Sequence, residues 1–372
     1  MNRRDFALGA SALAAAGAFA APSFAQTNAI SSRARSVFRR ATVVDGNLGP
    51  PIYSDDLPLP QATLDLVRNT GVSAIKTSMG GFNSPFEDTL TEIAFYQRII
   101  ERHPDYFRQV RTAADIAAAK RAGQLGIIFS FESAACLEDK VDRIDLFRNL
   151  GVRVMQLSYN TSSPFGAGTM SAETDSLTDL GREAVARMNA QGVALDLSHS
   201  NAATTGAAIE ASAKPVLITH AGCSAVHPHI RHKSDAQMRA LAEKGGVFGI
   251  YTLFFLAPPP RQPNLDDYMA HMTHALNVCG EDHVGMGSDT LFTAMELSPE
   301  ERAGWEAQTE QRRAAGVAAP EEDGRLPFTE GLNRPDRGLV VADALLDRGY
   351  PPRVVEKVLG GNFIRAFGDI WG

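Results

Sequence analysis

Eight short apolar runs, each followed by a longer segment with helical character, constrain the fold of this chain more than any other feature. Such alternation predicts repeated β–α units and a parallel sheet. The segments 178–189 and 234–243 repeat apolar residues at helical spacing, and Gly192 and Gly245 end them. The predicted strands are residues 42–47, 72–78, 126–132, 153–159, 193–199, 216–220, 247–252 and 283–289.

Eight parallel strands in about 250 residues fit a closed barrel better than an open sheet. No Gly-x-Gly-x-x-Gly follows the first predicted strand, as a dinucleotide-binding fold would require. We therefore predict one (β/α)8 TIM barrel domain over residues 26–372. Residues 296–337 form a predicted excursion after the eighth strand, either a functional lid or a solvated insertion. Two helices are predicted after it, at 338–348 and 353–370.

The first 25 residues have the pattern of an export signal. Arg3 and Arg4 precede an apolar stretch rich in Ala and Gly, and Ser23-Phe24-Ala25 has the form of a cleavage site. The paired arginines are typical of a twin-arginine signal, which directs folded bacterial proteins to export. The apolar run is shorter than the ~20 residues that a membrane span needs. We expect cleavage after Ala25, no stable membrane span, and a periplasmic or secreted product.

Composition excludes several classes of function. The net charge of −7 and the scattered Lys and Arg residues argue against a nucleic-acid or anionic-lipid surface. Three cysteines without Cys-x-x-Cys spacing indicate neither a disulfide framework nor a thiolate metal site. The chain lacks His-Glu-x-x-His, Gly-x-Ser-x-Gly and P-loop motifs, which excludes zincin, serine-hydrolase and nucleotide-binding readings. Its oligomeric state stays open, a homodimer included.

Four polar residues end apolar strands, where the reactive groups of such barrels lie. They are Glu132, His199, His220 and Asp289. Two carboxylates and two imidazoles at one barrel mouth are the ligand types that Zn²⁺ accepts. The sequence therefore predicts a zinc site at the carboxyl ends of the strands.

A set of motifs spread over nearly the whole mature chain resembles the membrane (renal-type) dipeptidase family. The motifs are Leu150-Gly151-Val152-Arg153, Asp196-Leu197-Ser198-His199, Thr219-His220, Asp235, Gly287-Ser288-Asp289 and Gly360-Gly361-Asn362-Phe363. The resemblance implies a (β/α)8 barrel that holds two zinc ions and hydrolyses dipeptides.

Individual roles follow from the same resemblance. Glu132 corresponds to the carboxylate that bridges the metals, His199 and His220 to the ligands of one zinc, and Asp289 to a ligand of the other. Arg231 corresponds to the residue that holds the terminal carboxylate of the substrate, a task suited to a bidentate guanidinium. Tyr159 stands where the family has a substrate-binding histidine, and its hydroxyl can still donate a hydrogen bond.

The first strand departs from the family pattern. Where the family has Asp-x-His-x-Asp, this chain has Asp45-Gly46-Asn47-Leu48-Gly49. Asn47 and Gly49 therefore stand where the family has its two first-strand ligands. An amide is a poor substitute for imidazole on zinc, and Gly has no ligating atom.

The remaining ligands support a hydrolase with one zinc ion, or with two. In the one-zinc hypothesis Glu132, His199 and His220 hold the metal, which activates water, and Asp289 acts as general base and then acid on an unblocked dipeptide. One alternative keeps the barrel and metal but acts on another small amide, lactone or ester. A second is a non-catalytic maturation or binding protein on the same barrel.

Five other histidines are interpreted as surface or rim residues rather than as a second metal cluster. His227, His229 and His232 share one loop with irregular spacing, and His271 and His274 lie three residues apart on a predicted helix.

Overall fold

In a computed structural model of the protein, residues 30–53, 56–322 and 324–372 are described. The predicted signal peptide lies outside these residues. Eight parallel strands form a nearly closed barrel, as predicted. They are β1 (Val43–Asp45), β2 (Val72–Ser78), β3 (Leu125–Phe131), β4 (Val152–Gln156), β5 (Ala194–Asp196), β6 (Leu217–Ala221), β7 (Val247–Ile250) and β8 (Val284–Met286).

Neighbours in sequence are neighbours in the barrel, from β1 round to β8. The gap between β1 and β8 is narrowed by Gly46. Its N–H donates to the carbonyl of Met286 at 2.8 Å and so joins the end of β1 to β8. Three short strands were not predicted. Phe107–Gln109 pairs with β3, and Leu48–Gly49 pairs with Thr290–Leu291 just beyond the ends of β1 and β8.

Helices separate the strands and cover the outside of the barrel. Among the described residues they are α1 (Ser32–Arg40), α2 (Gln61–Asn69), α3 (Phe86–Arg102), α4 (Ala113–Ala122), α5 (Arg143–Leu150), α6 (Asp179–Gln191), α7 (Ala202–Ala211), α8 (Asp235–Glu243), α9 (Leu265–Cys279), α10 (Pro299–Ala314), α11 (Arg337–Asp347), α12 (Pro352–Glu356) and α13 (Asn362–Trp371). None of these helices has the length and apolarity needed to cross a membrane.

Local sequence signals account for several helix ends. Thr178 caps α6 by accepting from the N–H of Gly181, and Ser234 forms a capping box with Gln237 at the start of α8. The helix predicted at 353–370 is instead divided into α12 and α13. A π-helical turn, Lys357–Gly361, lies between them, with non-helical backbone at Gly360.

The C-terminal helix closes the amino-terminal end of the barrel. Phe363 on α13 packs in one buried cluster with Val44, Ala74, Ile128, Val154, Ala194, Leu217 and Val247. A Cβ atom at Gly46, just after β1, or at Gly285 in β8 would lie 2.6 Å or 2.5 Å from the Phe363 ring, so both positions favour glycine. The amino-terminal half of the barrel is therefore a filled apolar core, and the polar residues of the site lie at the carboxyl ends of the strands.

Candidate metal centre

Three of the four predicted strand-end residues form a compact group at the carboxyl ends of the strands. One ligand atom from each of Glu132, His199 and His220 lies within 4.8 Å of the other two. Glu132 directly follows β3, His199 follows β5 by three residues, and His220 lies within β6. The pairing of β6 with β7 shifts register between Ile218 and Ala221, on either side of His220. Such an irregularity re-aims a side chain at a strand end.

Each imidazole is oriented by a hydrogen bond to its Nδ1 atom. Nδ1 of His199 lies 2.7 Å from Oδ1 of Asn160, whose own amide donates to the carbonyl of Val317. Nδ1 of His220 lies 2.8 Å from the hydroxyl of Thr219, which itself donates to Asp196. Both Nδ1 atoms therefore donate, and both Nε2 atoms keep a free lone pair.

The donor set fits a divalent cation. Nε2 of His220 is buried and has no hydrogen-bond partner among the described residues. Burial lowers the pKa of His199 and of His220 well below the usual range. The positive charge of Arg231 lowers the pKa of His199 further, and that of Lys76 lowers the pKa of His220. Neutral imidazoles with free Nε2 lone pairs, together with one carboxylate, are a ligand set that zinc accepts.

Asp289 lies beside this group and is joined to it through Asn47. The Asn47 amide nitrogen donates to Oε1 of Glu132 and to Oδ1 of Asp289, both at 2.7 Å. The backbone N–H of Asp289 donates back to the carbonyl of Asn47 at 2.6 Å. Asp289 has a φ of 58°, a strained value for a residue with a side chain. Burial, followed by the nearby Glu132 carboxylate, raises the pKa of Asp289 to about 7.

The two degenerate positions differ in what they contribute. Asn47 is buried and is a donor to both carboxylates, so the residue that replaces the family's histidine still takes part in the site. Gly49 lies in the short strand that pairs with Thr290–Leu291 and offers no side chain. Asp45, two residues before Asn47, accepts from the N–H groups of Asn47 and Ser288 and so connects the ends of β1 and β8.

A cavity of about 600 Å³, within the usual range for small-molecule sites, is lined by Glu132 of the metal group and by Asn47 and Asp289 beside it. Arg231 lines this cavity and is only 2% exposed, yet its Nε and Nη2 atoms have no hydrogen-bond partner among the described residues. A buried guanidinium in this state is a strong attractant for an anionic group of a ligand.

Tyr159 stacks on the ring of His199, with ring centroids 4.1 Å apart. Its hydroxyl oxygen accepts a hydrogen bond from Nη1 of Arg312 at 3.0 Å, which leaves the hydroxyl proton free to be donated. Burial raises the pKa of Tyr159, so the phenol stays protonated.

The predicted excursion at 296–337 reaches the site. It contains α10, whose residues Trp305, Gln308, Gln311 and Arg312 line the cavity. Arg312 also forms a two-point ion pair with Glu322, with N···O distances of 2.8 Å, which fixes the end of α10 over the cavity. The excursion therefore forms one wall of the cavity rather than a solvated insertion.

The interpretation of His271 as a surface residue and of His232 as a rim residue is wrong. His271 is fully buried. Its Nδ1 accepts from the N–H of Cys223 at 2.9 Å, and its Nε2 lies 3.2 Å from the carbonyl of Leu256. Backbone partners on both sides satisfy the ring inside the protein. His232 is 6% exposed, with Nδ1 2.6 Å from the carbonyl of His227. His274 is partly exposed and pairs with Asp235.

Several site residues were not identified from the sequence: Lys76, Asn160, Thr219 and Arg312. Lys76 had a visible signal, since it is the one charged residue in the strand Val72–Ser78. Asn160 and Arg312 lie outside the strands, and no periodicity marks them.

The fold and the site define a (β/α)8 barrel with a metal-ligand group at the carboxyl ends of its strands. The chain belongs to the membrane dipeptidase family (Peptidase family M19), whose model matches residues 31–303. The family implies a metal, and the group of Glu132, His199 and His220 is a candidate site for it.

Known proteins similar to this chain agree with that assignment. A solved structure of an amidohydrolase from Pseudomonas aeruginosa is 28% identical, with a TM-score of 0.80 over 91% of this chain and 99% of that one. Dipeptidase tcpJ of Claviceps purpurea is 25% identical over 77% of this chain. An uncharacterized dipeptidase of Schizosaccharomyces pombe is 30% identical over 54% of it. These alignments span 61% and 50% of the two fungal proteins.

Proposed function

We propose that this chain hydrolyses dipeptides with a free C-terminal carboxylate, using one Zn²⁺ held by Glu132, His199 and His220. The observation that carries the proposal is the position of Arg231. Its buried guanidinium lines the same cavity as Glu132, and its Nε and Nη2 atoms find no hydrogen-bond partner within the part of the chain that the structure describes. One carboxylate of the metal group and a receptor for a substrate carboxylate in the same small cavity suit a short peptide.

The chain's own residues supply binding, orientation and proton transfer. Arg231 binds the substrate carboxylate through the N–H groups of its Nε and Nη2 atoms and so places the peptide bond near the metal group. Tyr159, held by Arg312, presents a hydroxyl donor beside His199. Asp289, which lies next to the metal group, takes the proton of the attacking water and returns it to the leaving amine.

A bound divalent cation would supply Lewis acidity and lower the pKa of water to about 7. α10 forms one wall of the cavity and so shields that side of a bound substrate from bulk water.

The test is a metal analysis combined with a substrate panel. The purified protein is expected to contain zinc, to cleave unblocked dipeptides, to lose activity on chelation and to regain it with zinc. N-acylated dipeptides, simple amides, esters and lactones are the competing substrates, and faster turnover of any of these would replace the dipeptide assignment.

The variant D289N separates an enzyme from a binding protein. We expect it to keep the metal content of the wild type and to lose turnover by a factor of about 10²–10⁴, the usual contribution of a general base. Less than about half a zinc per chain in the wild type, with no hydrolysis after metal addition, would refute the enzymatic proposal.

We also propose that the protein is exported to the periplasm or secreted. The support is the sequence of residues 1–25, with Arg3-Arg4 before an apolar stretch and a cleavage pattern at Ala25. In a bacterial host, the full chain is expected in the periplasmic fraction without its first 25 residues. Changing both arginines to lysine should retain the uncleaved protein in the cytoplasm, and unchanged export would contradict the twin-arginine assignment.

A further inference from the structure

Lys76 is a buried lysine whose ammonium group is connected to the candidate metal centre through the side chain of Asn47. It lies in β2 and is 0% exposed. Its Nζ donates to Oδ1 of Asn47 at 2.8 Å and lies 3.6 Å from Oδ2 of Asp196. Lys76 does not contact the proposed substrate or metal ligands, and burying an ammonium is costly unless its partners compensate.

The contact with Lys76 determines which way the Asn47 amide faces. An ammonium group donates and cannot accept, so the oxygen of the amide must face Lys76. The NH₂ end then faces the opposite way, where its two hydrogens bond Glu132 and Asp289 at 2.7 Å each. Without Lys76 the amide would lose the charged partner that selects this orientation.

The amide therefore lies between two carboxylates of the same site. Two neighbouring carboxylates repel each other unless a proton, a donor or a cation lies between them. Here the donor is the Asn47 NH₂ group. The positive charge comes from Lys76, whose Nζ bonds the oxygen of the same amide. Oxygen atoms that would otherwise be open to a cation are hydrogen-bonded to the amide.

We propose that Lys76 and Asn47 together take the place of a second divalent cation between Glu132 and Asp289, so that this site holds one cation. The inference rests on the proposed metal-dependent function. Lys76 is a positioning residue, because it acts on the two carboxylates through Asn47 and touches neither.

The test is a titration of the chelated, full-length protein with Co²⁺, followed by visible absorption and by metal content after gel filtration. The wild type is expected to reach its end point at one equivalent. The double variant K76M/N47D removes the ammonium and replaces the amide by a third carboxylate, so its end point is expected at two equivalents. N47D alone leaves Lys76 to pair with the new carboxylate and is expected to stay at one.

K233M is the matched control. Lys233 is also buried, at 1% exposed, and its Nζ bonds the carbonyl of Ser200 rather than Asn47. Its loss should lower the thermal stability without changing the end point of one equivalent. The single variant K76M should lower kcat about tenfold and leave KM within about twofold, because Lys76 acts on Asp289 rather than on the substrate carboxylate.

The outcomes separate this inference from the proposed function. Two equivalents in the wild type would overturn the inference and the proposed count of one Zn²⁺, but would leave the dipeptide assignment and its ligand group standing. One equivalent in a folded K76M/N47D variant would overturn the inference alone. Two equivalents in N47D would remove Lys76 from the explanation. A wild-type protein that binds no Co²⁺ would overturn both proposals. The wild-type end point needs no variant, so the inference stays testable if the double variant does not fold.

Discussion

Arg312 on α10 donates a hydrogen bond to the hydroxyl of Tyr159 at 3.0 Å, and so joins the segment after the last barrel strand to the ring that stacks on His199. The same guanidinium is held by Glu322 through two contacts of 2.8 Å. The wall of the cavity and the metal group are thus one connected unit, and changes in α10 should alter catalysis without removing the metal.

The variant Y159F tests this connection directly. It removes the hydroxyl but keeps the ring that stacks on His199, so the metal content should not change. We expect kcat/KM for dipeptides to fall about tenfold, corresponding to the ~1.4 kcal/mol typical of one lost hydrogen bond. R312A should have at least the same effect. R302Q, at an exposed position on the same helix, is the control, and an equal loss in R302Q would show that α10 matters only for folding.

Substitution of Arg231 should affect substrates according to their C-terminus. R231M removes the charged donors, whose hydrogen bonds are worth about 1.5–3 kcal/mol. KM for a dipeptide with a free carboxylate should therefore rise roughly 10–100-fold. The corresponding dipeptide amide should show little change, because it offers no anion to Arg231. Steady-state kinetics on the matched pair of substrates provides the measurement. An equal loss on both substrates would contradict the carboxylate-binding role.

The barrel and its ligand group were predictable because both depend on regular patterns. Parallel strands place their carboxyl ends at one mouth, so Glu132, His199, His220 and Asp289 could be assigned from position alone. Three of them do converge. The role of Asn47 could not be inferred in this way. Its partners Lys76, Glu132 and Asp289 lie 29, 85 and 242 residues away, and only the closed barrel brings them within hydrogen-bond distance.

The burial of His271 could not be predicted from the sequence either. A polar residue on an amphipathic helix is normally assigned to the solvent face, and the sequence offered no reason to do otherwise. Its burial depends on the carbonyl of Leu256 and the N–H of Cys223, two backbone groups from other parts of the chain. Backbone partners of this kind leave no trace in side-chain patterning.

Acid should destabilise the protein through His103. Its Nε2 accepts the N–H of Leu59 at 3.0 Å, so the folded state needs the neutral ring, and burial lowers the pKa of His103 below 6.5. Above about pH 6.5 the ring is neutral in both states and its contribution is fully present. As the pH falls below that value the unfolded chain binds the proton more readily, and stability is lost, with a slope of at most ~1.4 kcal/mol per pH unit.

Urea unfolding of wild type and H103Q between about pH 8 and pH 5 should show the steeper loss of stability in the wild type. Parallel curves would exclude His103 as a cause.

The hydrogen bonds behind the two histidine ligands should control metal affinity. T219V keeps the side-chain shape but removes the hydroxyl between Nδ1 of His220 and Asp196. Loss of such a supporting bond typically weakens metal binding 10–100-fold. We expect that range from competition with a chromophoric chelator, with thermal stability lowered by only a few degrees. T89V removes the hydroxyl of a buried threonine on α3, which bonds the carbonyl of Pro85, and serves as the control. Equal metal affinity in T219V and T89V would show that Thr219 does not orient His220.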